Sequence, residues 1–370
     1  MSEQSDHESA EDRDGDEWYE LGIDLAAQQG REHDAERAYR NAIANGNTAA
    51  MFKLGLLLEG QPGREGEAEL AYRGACAAGS LSAWTNLGAL LAEQPGREAE
   101  AERAYRGGAA AGSTFSMYNL GGLLARQPGR ENEAEQAYRD AIEAGDSDSW
   151  DALGLLLAGQ PQRLEEAEAA FRAALAAGCR EARWHLGWVL SKQPTRRREA
   201  LIILREELAA GHAGAGLPLG TLLGARRGRN PEQEAAYRQA MSYDEDYVAS
   251  IAAVKLGVLL DMRGDLTSAL ACYEFALERG LDQAGVCLGY IGWVRAYLGD
   301  ADGARSAFEA GLRRIGEHVA ARVGRADTEG LPGARFAAFA LALGHGRYTR
   351  RPVRALRVAM FRVQRAIRRF

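Results

Sequence analysis

The chain has 370 residues, 46% of them hydrophobic, a formal net charge of −7 and four cysteines. No basic then apolar leader opens it and no run of 18 apolar residues follows (residues 334–343 come nearest), so a soluble, cytoplasmic protein is expected rather than a secreted or membrane-spanning one. Cys76, Cys179, Cys272 and Cys287 form no CxxC pair and have no histidine at metal spacing, which argues against a disulfide framework and predicts small buried hydrophobes in a reducing compartment.

Residues 1–20 carry nine acids against Arg13 alone, and residues 1–14 are expected to form an acidic, disordered lead. Glycine then falls every 33 residues at Gly22, Gly55, Gly88, Gly121, Gly154, Gly187 and Gly220, each directly after a leucine. A second series, Gly46, Gly79, Gly112, Gly145, Gly178 and Gly211, keeps the same step. Self-similarity at this period means stacked repeats, and such arrays grow linearly, so residues 15–316 are expected to form one array rather than two or three globular domains.

Residues 51–83 show one unit. Met51, Leu54, Leu57 and Leu58 make an apolar stripe at helical period. Gln61-Pro62-Gly63-Arg64 breaks that helix, and the breaker returns at Gln94-Pro95-Gly96-Arg97 and Gln127-Pro128-Gly129-Arg130. It is altered to Gln160-Pro161-Gln162-Arg163 and Gln193-Pro194-Thr195-Arg196. A second helix places Ala68, Tyr72 and Ala75 on one face and stops at Gly79, where a left-handed residue is wanted.

Glycine inside a helix costs about 1 kcal/mol relative to alanine, so its recurrence calls for a packing reason. The expected one is close contact with the second-helix aromatic: Tyr39, Tyr72, Tyr105, Tyr138, Phe171 and Tyr237, with Leu204 in place of one. The arginine after each aromatic (Arg40, Arg73, Arg106, Arg139, Arg172, Arg238) follows a glutamate by four residues, in the favoured acid-first order. These read as paired, solvated outer-face charges rather than a stripe for nucleic acid.

Trp18-x-x-Leu21-Gly22-x-x-Leu25, followed by Ala35-x-x-x-Tyr39-x-x-Ala42, resembles the tetratricopeptide repeat signature. The first seven units hold one extra residue between the two helices, as in the related Sel-like repeats. The next two return to tetratricopeptide spacing, with Gly257 before Ala269, Tyr273 and Ala276, and Gly292 before Ala304, Phe308 and Gly311. The 37 residues from Gly220 to Gly257 mark a joint. The resemblance implies an all-α, right-handed α-α superhelix (solenoid) of about nine helix-turn-helix repeats plus C-terminal helices.

It also implies that first helices line a concave groove that binds another protein's peptide or helical segment. Mapped onto this chain, groove positions are Tyr19, Phe52, Tyr118 and Trp184, then Ile23, Leu56, Leu155 and Trp188, with Phe115, Asp148 and Asp151 on the same side. Aromatics suit such a groove because they dominate interface energetics, although the same positions also serve plain helix packing. Trp18, Trp84 and Trp150, at the signature position, are expected to be structural. The lysines and asparagines of the family's chaperone-tail clamp are not at these positions.

Capping helices are expected over residues 317–346, and a basic amphipathic helix over 347–370. Val353, Leu356, Met360, Val363, Ile367 and Phe370 recur in steps of three and four, surrounded by Arg350, Arg351, Arg354, Arg357, Arg362, Arg365, Arg368 and Arg369. This tail could cap the array, lie on an anionic membrane, or dock on an acidic protein or the chain's own acidic N-terminus. Nucleic acid fits least, because the body is acidic and aromatics for base stacking are scarce in the tail. A homo-oligomer stays open. No HExxH, Gly-Lys-Ser/Thr loop or GxSxG elbow occurs, so no catalytic residue, metal or cofactor is expected; His185, between Trp184 and Trp188, reads as a hydrogen-bonding side chain. The heavy use of alanine, glycine and arginine over lysine suits a GC-rich bacterial genome.

Overall fold

A computed structural model describes residues 13–224, 230–280 and 284–323. The acidic lead up to residue 12, the capping segment beyond residue 323 and the basic segment 347–370 lie outside the described residues. Every regular element described is helical, and the chain divides into two compact units, one ending at Ala182 and one starting at Arg183.

The first unit holds five helix pairs. They are α1 (Gly15–Ala26) with α2 (Glu32–Ala44), α3 (Ala49–Glu59) with α4 (Glu65–Ala77), α5 (Leu81–Ala92) with α6 (Glu98–Ala110), α7 (Thr114–Ala125) with α8 (Glu131–Glu143), and α9 (Ser149–Ala158) with α10 (Leu164–Ala176). We call the members of each pair helix A and helix B. Each pair packs against the next, so the apolar stripe that no single helix can cover is buried between neighbours.

The second unit continues with α11 (Ala182–Ser191), α12 (Arg197–Ala209), α13 (Gly216–Leu223), α14 (Pro231–Ala240), α15 (Asp246–Arg263), α16 (Leu266–Glu278), α17 (Ala284–Tyr297) and α18 (Ala301–Val323). The described helices thus make nine pairs. The extra length between Gly220 and Gly257 is taken up partly by α15, an 18-residue helix A.

The glycine of helix A exists for the aromatic of helix B. A Cβ on Gly55 would lie 2.5 Å from Tyr72 Cε1, and one on Gly121 would lie 2.6 Å from Tyr138 Cε1. The same closeness recurs at Gly22 on Tyr39, Gly88 on Tyr105, Gly154 on Phe171, Gly220 on Tyr237 and Gly257 on Tyr273. Where Leu204 replaces the ring, a Cβ on Gly187 would still meet its Cδ2 at 2.9 Å.

Each helix B of the 33-residue units ends on a glycine in the left-handed region, as at Gly79, where φ is 90°. The following amide then closes the helix, Ser80 N donating to Ala75 O at 3.0 Å. The turn inside the pair also uses glycine while it can: Gly63 has φ 83°. Gln162 and Thr195 cannot adopt that conformation cheaply, and there the turn becomes a single 3-10 turn, Pro161–Arg163 and Pro194–Arg196.

The breaker arginine has a role that its sequence neighbourhood did not reveal. Arg64 donates all five of its N–H groups: Nη1 and Nη2 to Glu36 of the preceding helix B at 2.7 and 2.9 Å, Nε and Nη2 to Glu67 at 2.8 and 2.7 Å, and Nη1 to Gln61 at 3.0 Å. Arg97 repeats the pattern with Glu69, Glu100 and Gln94, and Arg130 with Glu102, Glu133 and Gln127. Arg163 grips Glu135 and Glu166 in the same way. A planar fork matches a carboxylate on two sides at once, which is why arginine and not lysine recurs here. Gln61 completes the corner by donating to Leu57 O at 3.2 Å.

This corrects the reading of the Glu–Arg pairs as solvated. The i,i+4 pairs do form, as in Arg40 to Glu36 at 2.8 Å and Arg73 to Glu69 at 2.7 Å. The glutamates, however, are nearly buried, because each is shared between its own helix and the clamp of the next repeat. Arg64 and Arg97, through their hydrogen bonds, hold the carboxyls of Glu36 and Glu69 below their ordinary range. In the second unit Arg263 keeps Glu234 but has Leu260 and Leu266 where glutamine and glutamate stood. Its Nη2 is buried without a partner. Cys76, Cys272 and Cys287 are buried free thiols, as expected, whereas Cys179 is partly exposed.

Candidate binding face

The helices A of the first unit present one stripe each, four positions at spacing i, i+3, i+4 and i+7. Read across the unit, the third residue before the signature glycine is Tyr19, Phe52, Thr85, Tyr118 and Asp151, and the residue after that glycine is Ile23, Leu56, Ala89, Gly122 and Leu155.

The aromatic members lean on the tyrosine of their own helix B. Ring centroids of Tyr19 and Tyr39, Phe52 and Tyr72, and Tyr118 and Tyr138 lie 6.4, 6.1 and 6.0 Å apart, all tilted. They are therefore held in place by packing while keeping an outer edge in water. Large apolar groups stay exposed along this same face: Leu56 (38%), Tyr118 (38%), Leu155 (40%) and, one turn earlier, Phe115 (71%).

At the position after the signature glycine the two smallest side chains, Ala89 on α5 and Gly122 on α7, fall between Leu56 on α3 and Leu155 on α9, a dip in side-chain size that we call the notch. A Cβ on Gly122 would meet only the Tyr138 hydroxyl, at an ordinary 3.7 Å, so the space above it is open. Thr85 joins a hydroxyl cluster with Ser116 at 2.8 Å and Ser113 at 3.2 Å.

Charge on these helices is mostly acidic and concentrated on α1. The five helices A carry six carboxylates, Asp16, Glu17, Glu20, Asp24, Glu59 and Asp151, against Lys53 as their one base. Four of the six are on α1. At the other end Asp146, Asp148 and Asp151 come close enough to Tyr118 that, after burial, their charges push its hydroxyl pKa up.

Trp184 and Trp188 belong to the second unit and are differently placed. Trp184 is half-buried, edge-on to Tyr243 at 6.2 Å and against His185 at 4.0 Å, with Gly214 beneath it. Lys192 Nζ lies 3.7 Å over the Trp188 ring. Trp84, in the signature position, packs where a Cβ on Gly107 would approach it to 2.6 Å, a structural role. Among the described residues no group of three or more His, Cys, Asp or Glu is arranged to hold a metal ion, and no helix is long and apolar enough to cross a membrane.

Residues 21–83 match the tetratricopeptide repeat family model. No curated protein matches the chain. Among solved structures, a protective antigen of uropathogenic Escherichia coli displaying an SLR fold is similar over 93% of this chain and 76% of its own, at 19% identity and a TM-score of 0.51. A Sel1 repeat protein from Oxalobacter formigenes shares 22% identity over 61% of this chain and 98% of its own, with a TM-score of 0.46. A tetratricopeptide repeat protein from Parabacteroides merdae shares 18% over 76% and 98%, with a TM-score of 0.44.

Proposed function

We propose that this chain, built from tetratricopeptide and Sel-like repeats, is a non-enzymatic scaffold that holds a peptide or helical segment of another protein on the helix-A face of its first unit. The observation that supports this reading most is the notch over Ala89 and Gly122. Two adjacent helices A drop to the smallest side chains at that position, between helices that expose Leu56 and Leu155, with exposed Tyr118 one turn before Gly122 on the same helix. A solvent face with no partner has no reason to alternate in this way, since exposed apolar surface costs about 25 cal/mol per Å² left in water. An anchor residue seated in the notch would bury the exposed rims around it.

The test uses Gly122→Leu, which fills the notch from an open position, and Tyr118→Ala, which removes the exposed ring beside it. Affinity purification from cells of the source organism should recover at least tenfold less of the partner with either variant, at unchanged helicity. Undiminished recovery with both would remove this face from consideration. The second reading, targeting to an anionic membrane by residues 347–370, draws on the sequence of that segment alone.

A further inference from the structure

We infer that the second unit opens at one place: α15–α18 part from α11–α14 as one cooperative block, and the seam between α14 and α15 is where they leave. Two polar atoms mark it. Among the described residues, Arg263 Nη2 and Tyr273 Oη are the side-chain nitrogen and oxygen atoms buried without a hydrogen-bond partner, and both belong to the pair α15–α16. A buried donor with no partner has given up its hydration for nothing. An opening that wets it therefore costs less than one that breaks a complete network.

Both cases have a cause in the sequence. In the first unit Arg64 ties α2 to the next pair with all five of its N–H groups engaged. Arg263 spans the corresponding seam, from the end of α15 to Glu234 of α14, but leucines stand three residues to either side of it. Its Nη1 reaches Glu234 and its Nη2 finds nothing. Tyr72 shows what Tyr273 lacks. The Tyr72 hydroxyl donates to Glu59, four residues after Gly55, and accepts from Asn86, two residues before Gly88, at 3.5 Å. Four residues after Gly257 stands Asp261, one methylene shorter than glutamate. Two residues before Gly292 stands Tyr290, whose ring stacks on Tyr273 at 5.1 Å instead of offering an amide.

The cores divide in the same way. In the first unit one cluster of buried side chains runs from Leu25 on α1 to Ala137 on α8. Behind the seam another runs from Ala253 to Phe308, and it takes a single buried residue, Tyr237, from α14. The block thus holds a core of its own, joined to the preceding pair by little more than that ring and an incomplete clamp. The seam also falls within the 37 residues from Gly220 to Gly257, where the 33-residue step is broken.

Hydrogen exchange of the full chain, resolved by mass spectrometry, tests the inference. The expected map has a step at the seam, with amides of α15–α18 exchanging together and about tenfold or more faster than those of α11–α14. Tyr273→Phe deletes the unpaired hydroxyl and should slow exchange throughout α15–α18 by about fivefold or more, leaving α11 and α12 unchanged. The same substitution at Tyr72, where it breaks bonds to Glu59 and Asn86, should act with the opposite sign and speed exchange in α3 and α4. A gradual rise in rate toward the C-terminus, with no step between α14 and α15, would overturn the inference. So would Tyr273→Phe if it left the rates of α15–α18 unchanged or raised them.

Discussion

A single methyl group separates two adjacent glycines of α7 in their consequences. Gly121 faces the Tyr138 ring, where an added Cβ would sit 2.6 Å from a ring carbon, and the ring is itself wedged among buried side chains. Gly122 faces outward, with only a hydroxyl at 3.7 Å. Gly121→Ala should therefore cost about 2 kcal/mol or more through overpacking, despite better helix propensity. Gly122→Ala should gain up to about 1 kcal/mol, because nothing opposes the propensity term. Chemical denaturation of the two variants measures both; equal effects would mean that the glycine–aromatic contact does not set the helix spacing. The glycine–aromatic lock was legible in the sequence because both partners keep strict period. Gly122 was not, since it breaks no local rule and acquires meaning only beside Leu56 and Leu155 on other helices.

At the scale of the element, repeats are joined by apolar burial and by the arginine clamp. Arg97→Ala leaves the nearly buried Glu69 with one partner, half-exposed Arg73, and should destabilise the chain more than loss of Arg73 does. Arg73→Ala removes a pair whose arginine is half in water and should cost only about 0.3–0.5 kcal/mol. A double-mutant cycle with Glu69→Gln separates the two. The pH dependence has a definite sign. Hydrogen bonds from Arg163, opposed in part by burial, hold the Glu135 carboxyl down to about 2, against an ordinary value of 4.5. A carboxyl depressed in the folded state stabilises at and above its unfolded value, and that contribution disappears as pH falls from about 4.5 toward 2. Acid titration of stability should thus show a loss in this window that Glu135→Gln reduces; an unchanged profile would show that the clamp contributes nothing. The i,i+4 partners of these glutamates were readable from spacing. The clamp was not, because its residues stand 28 positions apart and meet only after stacking.

At the scale of the molecule, each unit buries its core between sequence neighbours, so its helix order follows from the period of the pattern alone. The all-helical repeat architecture was fully legible on those grounds. The candidate face was legible in outline: Tyr19, Phe52, Tyr118 and Asp148 do lie on helices A or at their starts. What spacing did not convey is the surroundings of Trp184 and Trp188, which stand level with Phe52 and Tyr118 in the pattern and, partly exposed, contact Tyr243, His185 and Lys192 in the second unit. Tryptophan at a groove position reads the same in sequence whatever residues from later elements stand beside it.

The most direct measurement is a photo-crosslinking scan of the full chain. Benzoylphenylalanine is placed singly at positions 56, 118, 122 and 155 on the helix-A face and at 73, 106 and 139 on exposed positions of helices B. Adducts to one partner species from the first set, with none from the second, are the expected result. Adducts from the helix-B positions, or equal yields from both sets, would contradict a binding face on helices A.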